Sequence, residues 1–212
     1  MKQFFIDKNS DNLLIFFTGW GCDEYEFEHL ESDSDVLLLY EYFDLSFNFD
    51  FSKYKNINLA AFSAGVFIAS IMSFNFRINK KIAISGNPYL FDEQLGLSKN
   101  IQDILCNITE ETADNFAKNY LIKTEDEWNR FHHSKRTLKN CRMEFDSLKN
   151  LYKVRKEKII NIYDCALFGE EDKIFNISNQ KDFYKTKLKV VKNARHNLFF
   201  RINRYEQLID FA

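Results

Sequence analysis

The chain has 212 residues, of which 45% are hydrophobic, and a formal net charge of −2. This length suits one domain with a substantial core, and the charge lacks the basic excess typical of nucleic-acid-binding proteins. The amino terminus becomes charged too early for a signal peptide, and no apolar run approaches the roughly 18 residues of a membrane span. We expect a cytoplasmic monomer that binds neither nucleic acid nor membrane.

Four cysteines are scattered along the chain, at positions 22, 106, 141 and 165. They lack CxxC spacing, which disfavours a metal cluster and gives no disulfide framework. We predict no metal and no cofactor.

Short apolar runs separated by turn residues predict seven strands. In chain order these runs are 3–6, 13–17, 36–40, 57–62, 81–85, 159–168 and 187–191. The polar segment 7–12 between the first two runs resembles the turn of a hairpin. Segments 66–74 and 198–211 have the character of helices. Strands that alternate with helices predict an α/β fold, with a mostly parallel sheet flanked by helices.

The polar, charged segment 88–157 interrupts this alternation and contains no convincing strand. Its residue pattern allows helices at 98–106, 110–120, 124–136 and 139–151. We expect a single domain, 1–212, with 88–157 inserted as a helical cap or lid over the carboxyl edge of the sheet.

A nucleophile elbow is predicted at Ala61-Phe62-Ser63-Ala64-Gly65, which lies between two apolar runs. In this motif a strand ends, the backbone turns sharply, and a helix begins beneath an exposed serine. Small residues beside the serine are needed because strand and helix pass closely. Ala61 stands where the first glycine usually lies, and Gly65 supplies the second. We predict that Ser63 is the nucleophile of a serine hydrolase.

A serine nucleophile needs a histidine base, which an acid holds in the correct tautomer. In α/β hydrolases the chain order is serine, acid, histidine. Among four histidines, only His196 follows a late strand, in a short polar loop. Asp172 is our choice of acid because it follows the sixth predicted strand and a glycine turn. Asp164 is the second candidate and Glu171 the third.

The oxyanion of a tetrahedral intermediate requires backbone N–H donors. One is expected from Ala64, directly after the predicted nucleophile. The other is expected from Trp20, which lies between two glycines after the second predicted strand. Its indole could also line the acyl pocket. The G-x-G spacing lacks the remaining residues of a phosphate-binding loop, which disfavours nucleotide binding.

Three segments carry a family resemblance: Phe-Thr-Gly-Trp-Gly at 17–21, Phe-Ser-Ala-Gly-Val at 62–66, and Asp-Lys-Ile-Phe at 172–175. With them the chain resembles, over nearly its full length, the BioG family of pimeloyl-acyl-carrier protein methyl ester esterases. The resemblance implies a serine carboxylesterase. Its reaction would convert the methyl ester of pimeloyl-acyl-carrier protein to pimeloyl-acyl-carrier protein and methanol, at the end of biotin precursor synthesis.

The resemblance also implies a role for each predicted site residue. Ser63 would attack the ester carbonyl, His196 would transfer the proton, and Asp172 would orient the imidazole. The amides of Trp20 and Ala64 would hold the oxyanion.

Residues 129–158 carry ten Lys or Arg side chains against three acids. Acyl carrier proteins are acidic, and a basic patch near the active site would steer their approach. A solvated helical face explains the same pattern equally well. The predicted docking residues are Arg130, Lys135, Arg136, Lys139 and Arg142.

Two other functions fit the same motifs. A thioesterase or general carboxylesterase of the same fold would use the same triad. A catalytically silent hydrolase-like domain would instead bind an acyl chain or a partner protein.

Overall fold

The apolar runs of the chain form one seven-stranded sheet in the computed structural model, which describes residues 1–211. The strands are β1 (Lys2–Ile6), β2 (Asn12–Phe17), β3 (Asp35–Tyr40), β4 (Asn56–Phe62), β5 (Lys81–Ile84), β6 (Cys165–Gly169) and β7 (Leu188–Val191). The helices are α1 (Ala64–Ile71), α2 (Lys99–Cys106), α3 (Glu110–Phe116), α4 (Glu125–Arg130), α5 (Leu138–Arg155), α6 (Ile177–Tyr184) and α7 (Glu206–Asp210).

The strand order across the sheet is β1-β3-β2-β4-β5-β6-β7. Every neighbouring pair is parallel except β1 and β3, which confirms the predicted α/β fold with a mostly parallel sheet.

The predicted hairpin between the first two strands is wrong, because β3 lies between β1 and β2. The Asp35 carboxylate, at the start of β3, accepts the backbone N–H groups of Lys8 and Ser10 at 2.8 and 3.1 Å. These bonds carry the connecting segment across the end of β3.

Both faces of the sheet are covered, and alternate side chains of one strand enter different cores. Leu13, Ile15 and Phe17 of β2 pack with α1 and the insertion between β5 and β6. Leu14 and Phe16 pack on the other face with the C-terminal segment. Burial on both faces explains why the central strands are nearly continuous apolar runs.

The sixth strand is shorter than predicted, because only Cys165–Gly169 joins the sheet. The preceding apolar segment is buried without being a strand. Tyr163, for example, donates its hydroxyl proton to the carbonyl of Val66 at 2.7 Å. Apolar residues that fill the core outside the sheet give the same sequence signal as a strand.

The predicted helix over 198–211 is also wrong in part. It is divided into a 3-10 turn at Phe199–Arg201 and the short helix α7. Between them the chain extends beside Glu31, whose N–H donates to the Asn203 carbonyl at 2.9 Å and whose carbonyl accepts from Tyr205 N–H at 3.0 Å. This pairing replaces the helical hydrogen bonds.

Four helices, α2 to α5, lie between β5 and β6, within the segment predicted to be helical. The third is shorter than predicted and ends at Arg130. A π-helical turn, Ala117–Leu121, continues directly from α3. Among residues 1–211, no helix is both long and apolar enough to cross a membrane.

Candidate active site

Ser63 occupies a sharp turn between the end of β4 and the start of α1. Its backbone has φ 52° and ψ −117°, a conformation that L-residues rarely adopt and that is found at functional sites. The Ser63 N–H donates to the Ile84 carbonyl at 2.9 Å, which ties the turn to β5. This backbone geometry is that of the predicted nucleophile elbow.

Gly65 is required by the close passage of α1 over the end of β2. A Cβ atom at this position would lie 2.5 Å from the carbonyl oxygens of Phe17 and Thr18. Ala61, in contrast, is an ordinary strand residue between Phe17 of β2 and Ala83 of β5, so glycine is not needed there.

The structure brings Ser63, His196 and Asp172 together. His196 Nε2 lies 3.1 Å from Ser63 Oγ, and His196 Nδ1 lies 2.9 Å from Asp172 Oδ2. The side chains of His196 and Asp172 are only 3% and 0% exposed, so little water competes for their hydrogen bond. The imidazole packs between Phe62 and Phe175, with ring centroids at 5.1 and 5.8 Å.

Asp172 is held by the turn that follows β6. Asp172 Oδ1 accepts the N–H groups of Ile174 and Phe175 at 2.8 and 3.1 Å, which leaves Oδ2 to face the imidazole. Residues 193–197 form the histidine loop, which contains His196. Gly169 allows this loop to pack against the end of β6, because a Cβ atom at position 169 would lie 2.1 Å from the Arg195 carbonyl oxygen.

The other two acid candidates lie elsewhere. Asp164 precedes β6, at the opposite end of that strand, where it accepts the Lys81 N–H at 2.9 Å. Glu171 is directed to an ion pair with Lys123. Neither contacts His196, so the geometry favours Asp172.

The two predicted oxyanion donors both line the cavity that contains Ser63 and His196. Within residues 1–211, neither the Trp20 nor the Ala64 backbone N–H donates a hydrogen bond to the protein. Ala64 is the first residue of α1, where the helix dipole adds positive potential. The Trp20 indole donates to the Cys141 carbonyl of α5 at 2.6 Å.

A cavity of about 430 Å³ extends from Ser63 between the sheet edge and the insertion. Its walls are mainly apolar, with Leu105, Ile108 and Phe145 among the residues from the insertion. Glu26 also lines the cavity. Burial raises the pKa of its carboxyl to about 8, although the hydrogen bond with the Cys22 thiol lowers the pKa.

The histidine loop is bonded to the insertion. The N–H groups of His196 and Asn197 donate to the carbonyls of Tyr120 and Leu121 at 3.4 and 3.0 Å. The Arg195 guanidinium donates to the Ile122 carbonyl at 2.6 Å. The acceptors lie in or directly after the π-helical turn, a feature that often occurs at functional sites.

The five predicted docking residues do not share one environment. Lys135, Lys139 and Arg142 are exposed, although Arg142 donates to the Ile108 carbonyl at 2.6 Å. Arg130 pairs with Asp126 on its own helix at 2.8 Å.

Arg136 is not a surface residue, because its side chain is only 5% exposed and pairs with the buried Glu144 at 2.8 Å. The prediction that Arg136 contacts the carrier protein is therefore wrong. Sequence reasoning also missed Glu144, whose acidic side chain looks like part of a solvated helical face.

The four cysteines are free thiols, and only Cys106 is exposed. In the part of the chain that the structure describes, no group of three or more His, Cys, Asp or Glu side chains could hold a metal ion.

Comparison with known proteins identifies relatives of the whole chain. A family model described as "Pimeloyl-ACP methyl esterase BioG" matches residues 1–208. The crystal structure of BioG from Haemophilus influenzae is 27% identical, with a TM-score of 0.83 over 98% of this chain and 99% of that chain.

Two further matches support more limited conclusions. A malonyl-[acyl-carrier protein] O-methyltransferase from Bacteroides fragilis is 28% identical over 179 residues, which cover 81% of this chain but 36% of that protein. A lipase-esterase related protein from Clostridium acetobutylicum is 19% identical, with a TM-score of 0.69 over 99% of both chains. The latter likeness shows the α/β-hydrolase fold.

Proposed function

The chain belongs to the BioG family of pimeloyl-acyl-carrier protein methyl esterases, and we propose that Ser63, His196 and Asp172 form its catalytic triad. The family reaction hydrolyses a methyl ester to a carboxylic acid and methanol. The observation that carries the proposal is the continuous path of short contacts from Ser63 Oγ through the imidazole to Asp172.

In the first half-reaction, Ser63 Oγ attacks the ester carbonyl while His196 Nε2 takes the hydroxyl proton. Asp172 accepts a hydrogen bond from Nδ1–H, which fixes the required tautomer and stabilises the imidazolium. The tetrahedral intermediate then expels methoxide, which takes the proton from Nε2 and leaves as methanol. Ser63 is left acylated.

In the second half-reaction, water attacks the acyl-enzyme and His196 takes one of its protons. Collapse of this second intermediate returns the proton to Ser63 Oγ and releases the acid. The backbone N–H groups of Trp20 and Ala64 stabilise the oxyanion in both halves, since both residues line the cavity and neither N–H donates to another group of residues 1–211.

The substrate reaches Ser63 through the apolar cavity, whose insertion-derived walls we assign to the acyl chain. In this view the segment 88–157 acts as the cap of a single domain. The exposed Lys135, Lys139 and Arg142, together with the partly exposed Arg130, remain the proposed docking surface for the acidic carrier protein. Such a surface acts mainly on encounter and orientation.

The decisive experiment compares the wild type with Ser63→Ala on methyl-pimeloyl-acyl-carrier protein, with methanol release as the measurement. We expect the variant to lose at least a thousandfold in kcat while it keeps the wild-type melting temperature within a few degrees. A fluorophosphonate should label Ser63 in the wild type only. A variant with near-normal turnover would refute the assignment, and a folded wild type without an adduct would favour a silent binding domain.

Hydrolysis of an acyl thioester or a short aryl ester, measured in parallel, tests the substrate. A wild type that prefers either of these by kcat/KM would belong functionally with the general esterases or thioesterases.

A further inference from the structure

Residues 18–22, which we call the predicted oxyanion loop, follow β2 and contain Trp20. Three consecutive residues of this loop are hydrogen-bonded to α5 or to the residues just before it. The Trp20 indole donates to the Cys141 carbonyl at 2.6 Å. The Gly21 N–H donates to Glu144 Oε2 at 3.0 Å. Arg136 Nη1 donates to the Cys22 carbonyl at 3.2 Å. The insertion therefore binds this loop on both sides of Gly21.

Glu144 connects the loop to a second part of the chain. Its Oε1 accepts the Tyr42 N–H at 2.8 Å, just after β3. The Tyr42 hydroxyl in turn donates to the Thr18 carbonyl at 2.8 Å, at the start of the oxyanion loop. One carboxylate thus fixes two backbone segments relative to each other.

The carboxylate is fully buried and needs compensation for its lost hydration. Its side chain is 0% exposed, and Arg136 Nη1 lies 2.8 Å from Oε2. A buried ion pair contributes little net stability compared with apolar residues of the same volume, whereas removal of one partner is costly. Stability alone is therefore a weak reason for an acid at this position.

The hydrogen bond from Gly21 N–H to Glu144 constrains the position of the Trp20 amide. Gly21 N–H belongs to the peptide group that directly follows Trp20, and Gly21 has φ 76°. Fixing that peptide plane limits rotation about the Trp20 backbone and so limits where the Trp20 N–H can point. Oxyanion donors must lie within about 2.7–3.1 Å of the developing charge, so small rotations reduce their effect.

We propose that Glu144, held by Arg136, is a positioning residue that orients the Trp20–Gly21 segment for oxyanion binding. The inference rests on the proposed function, because it requires Trp20 N–H to be an oxyanion donor. It predicts an effect on the transition state that a merely structural residue would not produce.

The test uses Glu144→Gln, with Asp146→Asn as the matched control. Glutamine has the same shape, but its amide nitrogen must face either Tyr42 N–H or the two donors that share Oε2, Gly21 N–H and Arg136 Nη1. In either orientation one side chain no longer fixes the two backbone segments relative to each other. Asp146 is an exposed acid on the same helix. We expect kcat for methyl-pimeloyl-acyl-carrier protein to fall at least tenfold in Glu144→Gln, while KM changes less than threefold and the control stays within twofold.

Binding of an alkylboronic acid, which forms a tetrahedral adduct with the nucleophile, gives a second readout. Its affinity should fall in parallel with kcat/KM, whereas the affinity for the uncleaved methyl-amide analogue of the substrate should be unchanged. Arg136→Lys, which keeps the charge, should retain more activity than Arg136→Met. A folded Glu144→Gln variant with normal kcat, or with an effect on KM alone, would overturn the proposal.

Hydrogen exchange of the wild type keeps the proposal testable if the variants do not fold. The Gly21 amide should be protected as strongly as the Thr18 amide, which donates to the Leu39 carbonyl at 3.0 Å. Exchange as fast as that of an exposed loop amide would contradict it. Turnover by Ser63→Ala would instead show that the proposed function itself has failed, whatever the Glu144 variants do.

Discussion

Asp172 divides its two carboxylate oxygens between structure and proposed chemistry. Oδ1 closes the turn through Ile174 and Phe175, and Oδ2 contacts the imidazole of His196. The turn can therefore survive a change that spoils only the charge facing the histidine.

We predict that Asp172→Asn lowers kcat by roughly 10³–10⁴-fold, because the neutral amide no longer favours the correct tautomer or stabilises the imidazolium. Asp164→Asn is the matched control, since Asp164 interacts with Lys81 at the other end of β6. Its kcat should stay within twofold of the wild type. Steady-state kinetics of both variants measures these values of kcat. An equal decrease of kcat in both variants would reject Asp172 as the triad acid.

At the level of elements, Asp35 joins the β1–β2 connection to the start of β3. Burial raises the pKa of its carboxyl, but hydrogen bonds from Lys53, Lys8, Tyr54 and Ser10 outweigh that effect and lower the pKa to about 2. The lowered pKa means that the ionised form is the one that stabilises the native fold.

This contribution is fully present above the ordinary aspartate pKa of 3.8 and is lost as the pH falls from there through about 2. We predict that Asp35→Asn lowers the free energy of unfolding by about 1–2 kcal/mol at pH 7 and by much less near pH 2. Urea denaturation at several pH values measures this. The exposed Asp182 of α6 provides the control, since Asp182→Asn should change stability by less than about 0.5 kcal/mol at either pH. A loss in Asp35→Asn that does not vary with pH would contradict the charge-based explanation.

The strands that carry Ser63 and Asp172 could be predicted because their local patterns are strong, and because parallel strands place their carboxyl ends at one edge. His196 could be found because few histidines compete with it. The β1–β3 pairing could not be found, since it depends on contacts of Asp35 with a distant turn. Glu144 could not be found either, because a buried acid and a solvated acid look alike on a helix of mixed charge.

For the whole molecule, the exposed cations of the insertion predict a difference between large and small substrates. We expect the double change Lys135→Glu/Lys139→Glu to raise KM for the carrier-bound ester at least fivefold at low salt, because both side chains are exposed on the insertion. Turnover of a small soluble methyl ester should be unaffected, since the proposed triad of Ser63, His196 and Asp172 is untouched.

Lys8→Glu is the control for charge reversal elsewhere on the surface, because Lys8 is exposed in the connection before β2, at the amino edge of the sheet. The KM effect of the double change should shrink as salt increases. Equal effects on carrier-bound and small esters, or an equal effect of Lys8→Glu, would remove the docking surface.

The π-helical turn Ala117–Leu121 has a consequence for protein engineering. Its carbonyls accept the backbone N–H groups of His196 and Asn197, and the carbonyl of Ile122 accepts the Arg195 guanidinium. The insertion thus holds the loop that carries the imidazole. An exchange of the inserted helices between relatives, intended to alter acyl preference, would therefore disturb the proposed general base, His196, unless residues 195–197 came from the same donor protein. A chimera should take residues 117–122 and residues 195–197 from the same protein.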